Sequence, residues 1–196
     1  MAKRKPQRRR SGPSSSGLAV RRTADGQSWV FVHPRCARDT AEDVEEVRLM
    51  IDSGELEIAQ DELRWLLSDC AENIAGHALL GEVAAATGDF PLARAHYGAG
   101  YQLGLQTLRR AKMPKPVLYS QPANRPFFEA GQGLIGSLEK LGKSAMANEV
   151  VATLVQLDPS DPLQLRSMLD AMRTGGAPIV ELKLDLPQGD AGQGQT

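Results

Sequence analysis

From Thr40 onward apolar residues recur every three or four positions, the spacing that lines one face of an α-helix. Thr40-Ala-Glu-Asp offers an N-cap and an acidic first turn. Val44, Val47, Met50 and Ile51 then follow until Gly54 stops the helix. A second helix carries Ile58, Leu63, Leu66 and Leu67, and a third runs from about Ile74 to Thr87. Gly88-Asp89 interrupts the pattern, and Pro91 falls in the first turn of a fourth helix, where a missing amide hydrogen costs nothing. Lys112 to Arg125, with Pro114, Pro116 and Pro122, reads as an inserted loop. Helical spacing resumes through Phe128, Leu134 and Leu138, pauses at Gly142, and continues through Ala147, Val151 and Leu154. Asp161-Pro162 opens a last helix that Gly175-Gly176 ends. Upstream, Leu18-Ala-Val-Arg-Arg-Thr and Gln27-Ser-Trp-Val-Phe-Val flank Ala24-Asp25-Gly26, a candidate β-hairpin over 18–38. An isolated hairpin is marginal in water, so it would have to pack on the helices through Trp29 and Phe31.

The helices repeat. Gly54 and Gly88 are 34 residues apart, and Gly142 lies 54 further on, a second 34 lengthened by the proline-rich insertion. Five residues after each glycine stands an alanine: Ala59, Ala93 and Ala147. One turn further along the same face come Leu63, Tyr97 and Val151. In the preceding helices Leu80-Gly81 matches Leu134-Ile135, and the third unit closes on Leu157-Asp158-Pro159. Small residues at these points let two helix backbones approach closely.

These residues resemble the tetratricopeptide repeat, a helix-turn-helix unit. The segment from Asn124-Arg-Pro-Phe-Phe-Glu-Ala to Leu157-Asp-Pro-Ser-Asp-Pro-Leu is also similar to the tail of bacterial tetratricopeptide proteins. The resemblance implies an all-α fold. It would be a short right-handed solenoid of about three repeats, at 40–73, 74–107 and 128–161, with an insertion at 108–127 and a capping helix at 162–174. The first unit departs from the pattern, with Asp43 and Glu46 where an aromatic and a leucine are usual, which suits a polar terminal cap.

In such repeats the first helix of each unit lines a concave groove. The matching positions are Ala41, Val44, Arg48 and Ile51; Ala75, Ala78, Glu82 and Ala85; and Glu129, Gln132, Gly136 and Glu139. The resemblance thus implies a non-catalytic scaffold that binds a partner protein or peptide in a small-sided, weakly acidic groove. Chaperone-binding members hold a terminal carboxylate with Lys, Asn and Arg at such positions. Here Arg48 alone is available, so acidic chaperone tails are not expected to bind.

Composition changes the picture less than charge does. Aromatics are 5% of the 196 residues, too few for a sandwich or barrel, and no run of apolar residues is long enough to span a bilayer. The net charge of −1 hides a segregation. Residues 1–38 hold ten basic residues and one acid, while residues 39–72 hold twelve acids against Arg48 and Arg64. The stretch 1–17, expected to be disordered, carries Lys3, Arg4, Lys5, Arg8, Arg9 and Arg10. That cluster is the basis of the alternative function, a nucleic-acid- or ribosome-associated factor, through weak non-specific contacts that release counterions. It could equally meet the acidic block, in the same chain or in a second copy. Residues 175–196 are expected to form a flexible tail.

The chemistry-bearing residues are sparse. Cys36 and Cys70 are too few for a disulfide framework and read as buried thiols in a cytoplasmic protein. His33 and Cys36 with Cys70 and His77 lack the close pair that anchors zinc, so no metal or cofactor is expected. Combinations of these cysteines with His33, His77 or His96 do not define a nucleophile, and Gly131-Gln-Gly133 lacks the strand and lysine of a phosphate loop. The chain reads as no enzyme.

Overall fold

The computed structural model describes residues 17–174, so the expectations for the basic stretch and for 175–196 lie outside the described residues. Strands β1 (Ala19–Arg22) and β2 (Trp29–Val32) pair antiparallel, with Val20 opposite Phe31. Thr23 closes the turn by receiving and giving hydrogen bonds at Ser28, and Asp25 accepts the Gln27 amide at 3.0 Å, an arrangement short polar side chains favour in turns. Eight helices follow among the described residues: α1 (Arg35–Asp39), α2 (Ala41–Asp52), α3 (Leu56–Asp69), α4 (Ile74–Ala86), α5 (Phe90–Arg110), α6 (Arg125–Lys140), α7 (Ser144–Leu157) and α8 (Leu165–Thr174). The chain is therefore mostly helical with one small hairpin.

Helices α2 and α3, α4 and α5, and α6 and α7 pack as successive pairs, and α4 also packs on both α2 and α6. The three pairs turn in the same way. Gly54 bonds Ile51 and Glu55 bonds Met50; Gly88 bonds Ala85 and Asp89 bonds Ala84; Gly142 bonds Glu139 and Lys143 bonds Leu138. Each turn needs a left-handed residue, which glycine supplies without a side-chain penalty. Ala59, Ala93 and Ala147 are all fully buried where the paired helices meet.

Tyr97 shows why particular small residues are needed. A side chain at Gly81 would place its Cβ 2.6 Å from the Tyr97 ring, and one at Gly133 would overlap the same ring. Tyr97 of α5 therefore lies between α4 and α6.

One core cluster joins α2, α3 and α4 through Val47, Leu63, Leu66 and Val83. The larger cluster joins the hairpin to α4–α8 around Phe127, whose ring centroid lies 5.3 Å from that of Phe31 and 5.4 Å from that of Tyr101. The hairpin thus packs on the helices through Phe31. Trp29 is half-buried, bridges Val117 and lies under the Arg22 guanidinium.

Several boundaries move. Helix α5 runs to Arg110, past the expected end at 107, because Leu108 extends its buried face. Helix α6 starts at Arg125, where Pro126 occupies a position that needs no amide donor. Between them the inserted loop is tied down: the Val117 amide bonds Leu157 and the Tyr119 amide bonds Asp158. Thr40 does not cap α2 with its side chain. Its hydroxyl donates to the Cys36 carbonyl at 3.0 Å, because α1 directly precedes it. The last helix begins at Leu165 rather than near Pro162, and Asp161 accepts its first amide at 2.8 Å.

The expectation of free thiols is overturned. Cys36 of α1 and Cys70 at the end of α3 form a disulfide, with their Cα atoms 5.6 Å apart. The bond ties α1, which buries no residue of its own, to the helical body. Closing a loop of 34 residues restricts the unfolded chain by about 3–4 kcal/mol. Replacing both cysteines by serine should lower the melting temperature by roughly 6–15 °C in calorimetry. An unchanged melting temperature would refute this role for the bond.

Candidate functional site

The groove positions fall on α2, α4 and α6, with α4 packed on both of the others. Arg48 is the residue that joins the ends of the row. Its Nη2 lies 2.8 Å from Glu129 Oε2, linking α2 to α6 across α4, and its Nε lies 3.7 Å from Glu45. Two compartments on this side of the helices share Arg48.

The first compartment, of about 320 Å³, is lined by Glu82, Glu129, Gln132 and Tyr97 over Ala78 and Leu79. Burial pushes the Glu82 carboxyl above its ordinary value; Arg48 pulls it partly back, and Asp52 and Glu129 push it up again. Burial opposes the charge on Arg48, but Glu129, with Glu45 and Glu82, holds it protonated. The Tyr97 phenol is also pushed up by burial. This compartment presents acceptors and an excess of negative charge.

The second compartment, of about 210 Å³, has a more apolar wall of Ala41, Val44, Ala75 and Pro126. Arg38, Arg48 and Glu45 supply its charged groups, and His33 and Asn73 complete it. The His33 Nε2 donates to the Ala123 carbonyl at 2.7 Å, and burial holds its imidazole below the usual value. Asn73 caps α4 by accepting the Gly76 amide at 3.2 Å, while its Nδ2 is buried without a partner.

Of the expected groove residues, Arg48, Glu82, Glu129 and Gln132 come together, and Val44 contributes part of its surface while remaining buried. Ile51 packs against the first core cluster instead. Glu139 is not open to a ligand. Arg173 of α8 bonds it at 2.8 Å and holds its carboxyl below the ordinary value, with Ser144 as a further donor. Helix α8 has taken the place beside α6 that an open groove would leave empty, with Met172 lying near Gly136. Lys3, Arg4, Lys5, Arg8, Arg9 and Arg10 lie outside the described residues.

His33, Arg38, Asn73 and Tyr97 were not legible as groove residues. Only Asn73 had a local signal, a capping residue before the apolar run at Ile74. Among the described residues no group of three His, Cys, Asp or Glu side chains is placed to hold a metal ion. No helix of the described residues is long and apolar enough to cross a membrane. No protein-family model matches this chain, and neither a curated protein nor a solved structure matches it.

Arg48 is the group that counters burial in drawing the Glu82 carboxyl back down. In Arg48→Ala the Glu82 carboxyl should titrate at higher pH than in the parent, followed by carbon chemical shifts. The Arg48 and Glu129 side chains are 34% and 30% exposed, so the loss of stability should stay within about 1 kcal/mol. An unmoved Glu82 titration would show that the two groups do not sense each other.

Proposed function

We propose that the chain is a non-catalytic scaffold of tetratricopeptide type. In this reading it is a short right-handed solenoid that holds an extended segment of a partner protein on its concave face. The observation that carries the reading is the open row from α2, α4 and α6, in which Arg48, Glu82, Glu129 and Gln132 converge from three units with equivalent turns. A row of first helices supports an extended ligand because each unit adds one further contact along the same direction.

The two compartments define the ligand by chemistry. A Lys or Arg side chain suits the compartment of Glu82 and Glu129. A small apolar residue, with a carbonyl or carboxylate directed at Arg38 and Arg48, suits the other. An acidic C-terminal tail does not, since Arg48 is engaged by Glu129 and carboxylates line the neighbouring space. Charge pairs of this kind select partner and register more than they add affinity.

A display library of extended peptides screened on the full chain should yield binders with a basic residue one or two positions from a small apolar one. Glu82→Lys should weaken these binders at least about tenfold, or about 1.4 kcal/mol, by calorimetry. Binders indifferent to Glu82→Lys and to Arg48→Glu, or micromolar binding of an acidic C-terminal peptide, would overturn the reading.

A further inference from the structure

In a stack of helix pairs the end pair has to keep its outer face polar, because no further pair covers it. The pair α2 and α3 meets α4 on one side, and its other side breaks that rule. Among the described residues the three most exposed large apolar side chains are Leu49, Ile58 and Trp65, at 68, 57 and 55%. All three belong to this pair. Single exposed apolar residues are ordinary on a protein surface, but these are gathered rather than scattered.

Helical geometry turns them to the same side. Leu67 faces α4, since a side chain added at Gly76 would place its Cβ 3.1 Å from it. At about 100° per residue Trp65 lies about 160° and Ile58 about 180° around α3 from Leu67, so both point away from α4. On α2, Val44 lines the second compartment together with Ala75 of α4, and Leu49 lies about 140° around the helix from Val44.

The charges beside these side chains are of one sign. Glu45 and Glu46 stand one turn before Leu49, with Glu42 a turn earlier, and Asp61 and Glu62 stand one turn before Trp65. The two cations of the pair are already engaged, Arg48 by Glu129 at 2.8 Å and Arg64 by Asp61 at 3.3 Å.

We propose that this end of the helical array docks a cationic amphipathic helix of a partner protein. Charge decides the class of partner. The same end of a second copy, a nucleic acid or an anionic membrane would bring negative charge against negative charge, whereas Lys and Arg side chains meet carboxylates around the apolar patch. The spacing suits a helix. Ile58 and Trp65 are about 10 Å apart along α3, the distance that two turns of a docked helix span with apolar residues at i and i+7. Trp65 is the anchor, because an indole offers a large contact area and few rotatable bonds to immobilise. The incoming helix packs on the first pair from the side opposite α4.

Calorimetry on the full chain tests this with a helical peptide of about 18 residues in which Leu forms one face and Lys the rest. It should bind with Kd at or below about 100 μM, and added salt should weaken it. Ile58→Ser with Trp65→Ser should weaken it at least about tenfold. Both side chains are exposed, so this variant should keep its melting temperature within a few degrees. Gln132→Ala, in the groove, should leave the affinity within about twofold. No binding, or equal binding of a scrambled Leu/Lys peptide or of the Leu/Glu analogue, would overturn the proposal. So would indifference to the double variant, or an equal loss in Gln132→Ala, which would put the peptide in the groove. A parent chain that dimerises with rising concentration, and stops doing so in the double variant, would assign the surface to a second copy and also overturn it.

Discussion

Asn124 ties the backbone of strand β2 and of the inserted loop at Leu118 to the start of α6. Fully buried, it accepts the Phe31 amide at 2.9 Å and donates to the carbonyls of Trp29 and Leu118 at 3.0 and 2.8 Å. A two-stranded hairpin is marginal alone, and this one gains its place from that amide together with Phe31 packed, with its ring tilted, against Phe127. Removing the Asn124 side chain would leave a buried donor and two carbonyls unpaired, at about 1–3 kcal/mol each. The consequence reaches the groove, because the strand that Asn124 fixes leads directly to His33, and Asn124 itself ends the turn that carries Pro122 and Ala123. One of the two compartments therefore depends on a residue that does not line it.

Much of this was legible because it is repeated. Glycine at 54, 88 and 142 and alanine five residues later mark equivalent turns and helix contacts, and repetition distinguishes such positions from chance. The Asp25-Gly26 turn was legible for a local reason, the chemistry of short polar turns. What the sequence did not disclose depends on distant contacts. Helical spacing puts Glu139 on the groove face, but nothing in spacing reveals that α8 folds back to cover it. Cys36 and Cys70 are separated by two helices, and only the fold of the chain between them brings them within bonding reach. Asn124 looked like one polar residue at the end of a proline-rich loop.

The charge segregation does not explain what holds the fold. In the acidic block, Val44 and Val47 supply the buried face of α2, and most of the carboxylates lie at the surface. Arg64 pairs with Asp61 at 3.3 Å on an exposed face, an interaction of less than about 1 kcal/mol. Glu72 is different. It accepts the Leu18 amide at 2.9 Å and so fixes where the described chain enters the domain. Gly17, the first described residue, lies against the same carboxylate.

The Arg48–Glu129 pair works in the opposite sense, as a weak divider at a central position. Both side chains are about one-third exposed, so water already competes for them and separating them costs little. A ligand that brings a carboxylate to Arg48 and a cation to Glu129 replaces the pair with two pairs and joins the compartments. A ligand with only one of these charges leaves either Arg48 or the Glu82–Glu129 side uncompensated in a half-buried site. In the proposed reading the groove therefore favours ligands in which both signs occur at a fixed distance. On that proposal the requirement selects a register along the row of α2, α4 and α6, which the small alanine-lined walls could not do by shape alone.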